Sequence, residues 1–155
     1  MTLKIHDIVF SNASVCDTFG RVFFYQEKVY RLINNSHISD CMELIKSELF
    51  NKLTDLGYIV KTEIVSDFKV ESYDLILQHQ RVSDNQPNEW SFLMYKDAAV
   101  LILKINNICN EYGYELKDAH PYNVVFNNGT PIFIDIGSIQ KINGFRLHSK
   151  NRDSF

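Results

Sequence analysis

Residues 116–138 read LKDAHPYNVVFNNGTPIFIDIGS. Val124 to Phe126 and Ile132 to Ile136 are short β-rich runs. Between them stands Asn127-Asn128-Gly129, residue types that accept the left-handed backbone a tight hairpin needs. A polar loop therefore enters one strand, the chain reverses, and the second strand ends in Asp135-Ile136-Gly137-Ser138. That reversal carries Asp135 back toward Asp118 and Asn123. Two carboxylates and one amide oxygen are hard donors that suit Mg²⁺, which takes one or two protein carboxylates and completes its shell with water and phosphate. Phosphoryl transfer needs such a cation and a carboxylate that orients the attacking hydroxyl. The spacing makes Asp118, Asn123 and Asp135 the candidate site.

Upstream, residues 21–33 read RVFFYQEKVYRLI, two apolar-aromatic runs around Gln26-Glu27-Lys28. This predicts an antiparallel hairpin, with Gly20 available for a bend or a close backbone approach. Over 39–57, Met42, Ile45, Leu49, Leu53 and Leu56 recur at helical steps, with Ser39 or Asp40 as a cap and Gly57 at the C-terminus. YIVKTEIV, DFKV and YDLILQH follow as strand candidates, the last being the best. RVSDNQPNEW is a polar connector, and Trp90 at its end is expected to be a packing anchor with its N–H satisfied. Over 91–110, Phe92, Tyr95, Ala98, Ala99, Ile102, Ile105 and Cys109 share one helical face and Ser91 caps it.

Composition excludes several classes. Of 155 residues, 45% are hydrophobic and 13% aromatic, so disorder is excluded, and six Gly and three Pro exclude collagen-like repeats. A chain this long buries roughly 70% of its unfolded surface without disulfide staples. With a net charge of -3 and no dominant basic stripe, no nucleic-acid partner is expected. The start, MTLKIHDIVFSNAS, lacks the apolar core of a secretory signal, and no run has the length of a membrane span. Cys16, Cys41 and Cys109 form no CxxC, and the five histidines do not pair at zinc-ligand spacing. A cytoplasmic protein with reduced thiols, no structural metal and no membrane partner is the expectation.

The run Asp118-Ala119-His120-Pro121-Tyr122-Asn123, the NG hairpin and Ile134-Asp135-Ile136-Gly137 resemble the catalytic and metal-binding loops of the protein-kinase-like fold, in the style of aminoglycoside and choline phosphotransferases. The resemblance implies that Asp118 is the catalytic base, that Asn123 and Asp135 are metal ligands, and that His120 braces the loop. The order hairpin, helix, strands, connector, long helix agrees with it. There is no Gly-x-Gly-x-x-Gly and no Val-Ala-Ile-Lys; Arg31 occupies the position of the phosphate-binding lysine. Arginine is a fork where lysine is a point charge. Glu43 or Glu48 is the expected partner of Arg31, although both also read as plain surface helix residues. Backbone groups from Gln78 to Arg81 are expected to meet adenine.

A second resemblance covers nearly the whole chain. FGRVFFYQEKVYRLIN, NEWSFLMYKDAAVLILKI and LKDAHPYNVVF…PIFIDIGSI are similar to the amino-terminal region of a bacterial family of class I SAM-dependent methyltransferases. The family places a separate methyltransferase domain after this region. The glycine-rich SAM turn does not occur in this chain, so SAM is implied only in a full-length context.

The expected fold is α+β and protein-kinase-like: a small antiparallel sheet with one helix (1–80), a connector (81–90), an incomplete large lobe carrying the catalytic-loop hairpin (91–140), and a polar tail (141–155). The expected function is an ATP/Mg²⁺-binding phosphotransferase-type module acting on an unknown acceptor. The alternative is a non-catalytic, pseudokinase-like scaffold of a methyltransferase. Lys141, Arg146, His148, Lys150 and Arg152 make the tail basic and solvated. An incomplete lobe is expected to leave apolar surface of the 91–110 helix uncovered, favouring self-association.

Overall fold

The computed structural model describes residues 2–83 and 85–142. Of the basic tail only Lys141 falls among them; Arg146, His148, Lys150 and Arg152 lie outside the described residues. The strands and α-helices, in chain order, are β1 (Thr2–Leu3), β2 (Val9–Phe10), β3 (Gly20–Tyr25), β4 (Lys28–Ile33), α1 (Ile38–Ile45), α2 (Glu48–Asp55), β5 (Thr62–Ile64), β6 (Lys69–Val70), β7 (Ile76–His79), α3 (Phe92–Glu111), β8 (Tyr114–Leu116), β9 (Val124–Asn127), β10 (Thr130–Phe133) and β11 (Ile139–Lys141). The protein is thus a mixed α+β structure. Its main sheet has five strands in the order β2-β3-β4-β7-β5, all antiparallel.

The β3–β4 hairpin forms where the pattern predicts it, with a shorter turn. Tyr25 pairs with Lys28, so Lys28 belongs to the strand and only Gln26 and Glu27 turn the chain. Both have left-handed backbones, with φ of 48° and 62°. This is the primed geometry whose twist matches the strands it joins. The second hairpin, β9–β10, turns in the same way at Asn128 (φ 51°) and Gly129 (φ 80°). At Gly20 the close approach is real: a Cβ there would lie 2.1 Å from the Leu32 carbonyl oxygen.

The single helix expected over 39–57 is two. Ser47 is extended (φ -76°, ψ 155°); its Oγ donates to the Leu44 carbonyl at 2.6 Å and accepts from Phe50 N at 3.1 Å. One hydroxyl ends α1 and begins α2, because Ser satisfies end groups better than it sustains a helix interior. The break rephases the buried face: Cys41, Leu44, Leu49, Phe50 and Leu53 are buried, while Leu56 is exposed.

On α3 the buried stripe is Ala98, Leu101, Ile105 and Cys109. The first turn departs from the expected face, for Phe92 is 81% exposed and Leu93 65%. Leu103, at 62%, extends this uncovered apolar strip along the helix. The helix otherwise packs into a core containing Ile33, Leu49, Leu77, Val124, Phe133 and Ile136, which runs without interruption from the five-stranded sheet to the β9–β10 hairpin. Backbone bonds reinforce that join: Val60 N donates to the Phe133 carbonyl and Phe133 N to the Tyr58 carbonyl, both at 2.9 Å. Trp90 is a packing anchor edge-on to Tyr95 and Phe126. Its indole N–H, expected to be satisfied, is buried with no hydrogen-bond partner among the described residues.

Candidate functional site

A cleft of about 1060 Å³ separates one face of the main sheet from the loop that precedes β9. Arg31 and His79 line it from the sheet, Asp17 from the loop before β3, and Asp118, Asn123 and Asp135 from the second hairpin and its flanks. The three oxygen-bearing side chains named from sequence therefore open on one space.

Backbone geometry explains their convergence. His120 Nδ1 accepts from Tyr122 N at 3.3 Å, and its ring stacks on that of Tyr122, so His120 braces the loop. Asn123 Nδ2 donates to the Asp118 carbonyl at 3.1 Å, which fixes the two ends of the loop to each other. Ile134 N donates to the Asn123 carbonyl at 2.8 Å, setting Asp135 beside them. Lys117 N donates to the Ser138 carbonyl at 2.8 Å and closes the circuit. The Asp118 carboxylate is exposed and has no hydrogen-bond partner among the described residues.

Asp135 is far more constrained. Its Oδ1 accepts from Arg31 Nη1 at 3.0 Å and from Gly137 N at 3.2 Å; its Oδ2 accepts from Ser138 Oγ at 2.5 Å. The Arg31 guanidinium, itself buried, also lies 3.8 Å from Asp17 Oδ2. Gly137 is a glycine for a local reason: a Cβ would come within 2.8 Å of the Phe19 ring. Phe19 in turn lies beneath the Arg31 guanidinium, 5.9 Å from ring centroid to Cζ.

The expected pairing of Arg31 with Glu43 or Glu48 is corrected. Glu43 does not reach Arg31 or the cleft; it is exposed on α1 and pairs with Lys141. Glu48, in the first turn of α2, is likewise exposed. Arg31 takes Asp135 and Asp17 instead, because it sits on the sheet face turned toward the hairpin. Gln78 points to the other face, where it lines a separate depression of about 420 Å³ beside Tyr30 and Glu63. Strand alternation puts its neighbour His79 on the cleft side instead, and the segment His79 to Ser83 borders the cleft.

His79, Asp17 and Ser138 are the site residues that the sequence did not announce. Register is what places His79: Val29 pairs with His79 and Arg31 with Leu77. Burial pulls the His79 imidazole down to about 3, with the Arg31 charge acting in the same direction and Asp135 opposing it. Asn85, in the connector, was also silent. It donates to the Phe126 carbonyl at 2.6 Å and accepts from Phe126 N at 2.8 Å, clamping the site hairpin.

The donor chemistry fits a hard divalent cation. Asn123 Nδ2 is engaged with Asp118, which leaves the amide oxygen as its remaining donor atom. Among the described residues no three His, Cys, Asp or Glu side chains gather as a metal cluster. A cation here would rest on Asn123 and Asp135, with water and phosphate completing the shell.

Comparison with known proteins adds one relative. No family model matches the chain. It is similar to the nodulation protein NoeA of Rhizobium meliloti (strain 1021), 31% identical over an alignment of 133 residues that covers 80% of this chain and 27% of that protein. The chain thus spans about a quarter of the length of the curated relative it matches. Among the described residues no helix is long and apolar enough to cross a membrane.

Proposed function

We propose that the cleft is a nucleotide site of the protein-kinase-like kind and that the chain is a phosphotransferase-type module. The observation that carries this is the convergence of Arg31, Asp118, Asn123 and Asp135, spread over more than a hundred residues, on one cleft. The succession of hairpin, helices, strands, connector, long helix and loop-bearing hairpin supports it as well.

In this reading Arg31 holds phosphate oxygens and exchanges part of its bonding to Asp135 for them. Asn123 and Asp135 are the residues that hold Mg²⁺, which when bound neutralises phosphate charge. Asp118 accepts the proton of an acceptor hydroxyl as its oxygen bonds to the γ-phosphorus and the bond to the leaving ADP oxygen breaks. The exposed Asp118 carboxylate, with no side-chain partner to compete, suits a base that meets a substrate from solution. Turnover of ATP with candidate hydroxyl acceptors tests this. Activity lost in Asp118→Ala with nucleotide binding retained is the expected result; equal turnover in wild type and variant would reject the assignment.

A specific observation favours a second reading. Asp135 already accepts three internal hydrogen bonds. A carboxylate so occupied can serve as a structural anchor, and the module would then be a non-catalytic scaffold that binds nucleotide or none. The match to about a quarter of NoeA, with the resemblance to the front region of methyltransferase proteins, supports placing methyl transfer and SAM in further sequence of a longer protein.

A further inference from the structure

The sheet side of the cleft carries a buried polar atom that the mechanism leaves unused. His79 ends β7, is 7% exposed and forms part of the cleft wall. Its Nδ1 lies 2.8 Å from Thr62 Oγ1, and Thr62 Oγ1 lies 3.1 Å from the Val60 carbonyl. A hydroxyl has one proton to give. Both contacts are satisfied together only when Thr62 donates to Val60 and the imidazole donates from Nδ1. The ring is neutral, because burial and the Arg31 charge oppose its protonation. A neutral ring with its proton on Nδ1 presents a bare lone pair at Nε2. That Nε2 is buried and has no hydrogen-bond partner among the described residues. An unpaired buried acceptor is destabilising, and a matching donor recovers that loss.

The surroundings describe the donor. Val22 and Val29 line the cleft from the sheet, Val125 and Ile134 from the hairpin, which gives an apolar slot between two layers. Val29 pairs with His79 and Arg31 with Leu77, so the histidine stands on the same face as the arginine, diagonally across the β4–β7 pair. That diagonal is roughly 7–8 Å. A ligand with its anionic end at Arg31 and a flat ring in the slot would bring the ring edge to His79.

We propose that His79 Nε2 selects the base of the bound nucleotide by accepting a hydrogen bond from an exocyclic amine of the adenine type. A carbonyl at the same edge would set two acceptors against each other. The proposal rests on the nucleotide reading of the cleft and adds a specificity-determining residue to it.

Calorimetric titrations with Mg-ATP and Mg-ITP, whose bases differ at that amine, test it. The wild type is expected to bind ATP roughly tenfold more tightly. His79→Phe keeps the bulk of the ring without the acceptor, and is expected to bring the two affinities within about twofold. Equal affinities in the wild type, or an undiminished ATP preference in the variant, overturn base selection and leave the nucleotide reading standing. Binding of neither nucleotide overturns both. If His79→Phe does not fold, wild-type protein labelled with ¹⁵N-histidine decides alone. The Nε2 resonance of His79 is expected to move with Mg-ATP and stay with Mg-ITP; no movement with Mg-ATP, or equal movement with both, overturns the proposal.

Discussion

Arg31 Nη1 donates to Asp135 Oδ1 at 3.0 Å, joining the third strand of the main sheet to the end of the second hairpin across 104 residues. The arginine is buried, and Asp135 is about a quarter exposed. Breaking one side of such a pair leaves the other charge poorly compensated. Solvent near Asp135 and its bonds to Gly137 and Ser138 moderate that loss. A double-mutant cycle of Arg31→Met and Asp135→Asn, read by urea unfolding, is expected to give a coupling of about 1–2 kcal/mol. Additive single effects would show that the contact contributes nothing.

The two glycines that face neighbours separate backbone from side-chain crowding. At Gly137 an added methyl meets the Phe19 ring, which can shift; at Gly20 it meets the Leu32 carbonyl at 2.1 Å, which cannot shift without unpairing β3 from β4. Gly137→Ala is expected to destabilise by about 1–2 kcal/mol, and Gly20→Ala by more. Thermal unfolding with equal losses at the two positions would contradict the distinction.

Gln26 and Glu27 hold left-handed backbones with no glycine or asparagine to ease them. Gln26→Asn with Glu27→Gly is expected to raise stability by about 0.5–1 kcal/mol, since the strain removed exceeds the added entropy of the unfolded chain. Arg81 Nη1 bonds the Glu27 carbonyl oxygen, which both variants keep. A drop in the unfolding midpoint would contradict this.

The hairpins, the long helix and the loop that gathers Asp118, Asn123 and Asp135 were legible because each rests on local chemistry: alternating strands, an NG turn, helical periodicity. What was not legible depends on register and on distant partners. Nothing local tells that Gln78 faces away and His79 toward the cleft; the pairing of Val29 with His79 decides it. Nothing near Arg31 announces Asp135 rather than Glu43. The α1–α2 break was visible in principle, as Ser47-Glu48 is a helix start, but the apolar repeat on both sides masked it. Phe92 and Tyr95 fit the periodic face of α3, and only tertiary packing shows that the face begins at Ala98.

His79 gives the fold a pH dependence of known sign. Its ordinary value is 6.5 and its folded value about 3. Above 6.5 the ring is neutral in both states, so its stability contribution is fully present. As pH falls from 6.5 toward 3 only the unfolded chain takes the proton, and stability is lost by up to about 1.4 kcal/mol per pH unit. The stability of the wild type relative to His79→Phe should therefore decline across that window in urea titrations. A constant difference would contradict the buried neutral ring.

The thiols differ by location. Cys16 is exposed at the cleft, whereas Cys41 and Cys109 are buried. Burial pushes their thiols up to about 11 and about 12. Native protein at mildly alkaline pH should take one equivalent of a thiolate-seeking reagent, and three after unfolding. Two or three fast-reacting thiols in the native state would contradict the core described for α1 and α3.

On the proposed reading, the cleft binds the phosphates of a nucleotide through Arg31 and a cation held by Asn123 and Asp135. Calorimetric titration of the protein with ATP, with and without Mg²⁺, alongside Asn123→Ala and Asp135→Asn, measures it directly. Saturable binding that needs Mg²⁺ and weakens at least about tenfold in each variant is the predicted result. No binding by the wild type, or affinity indifferent to the cation and to both substitutions, would contradict it.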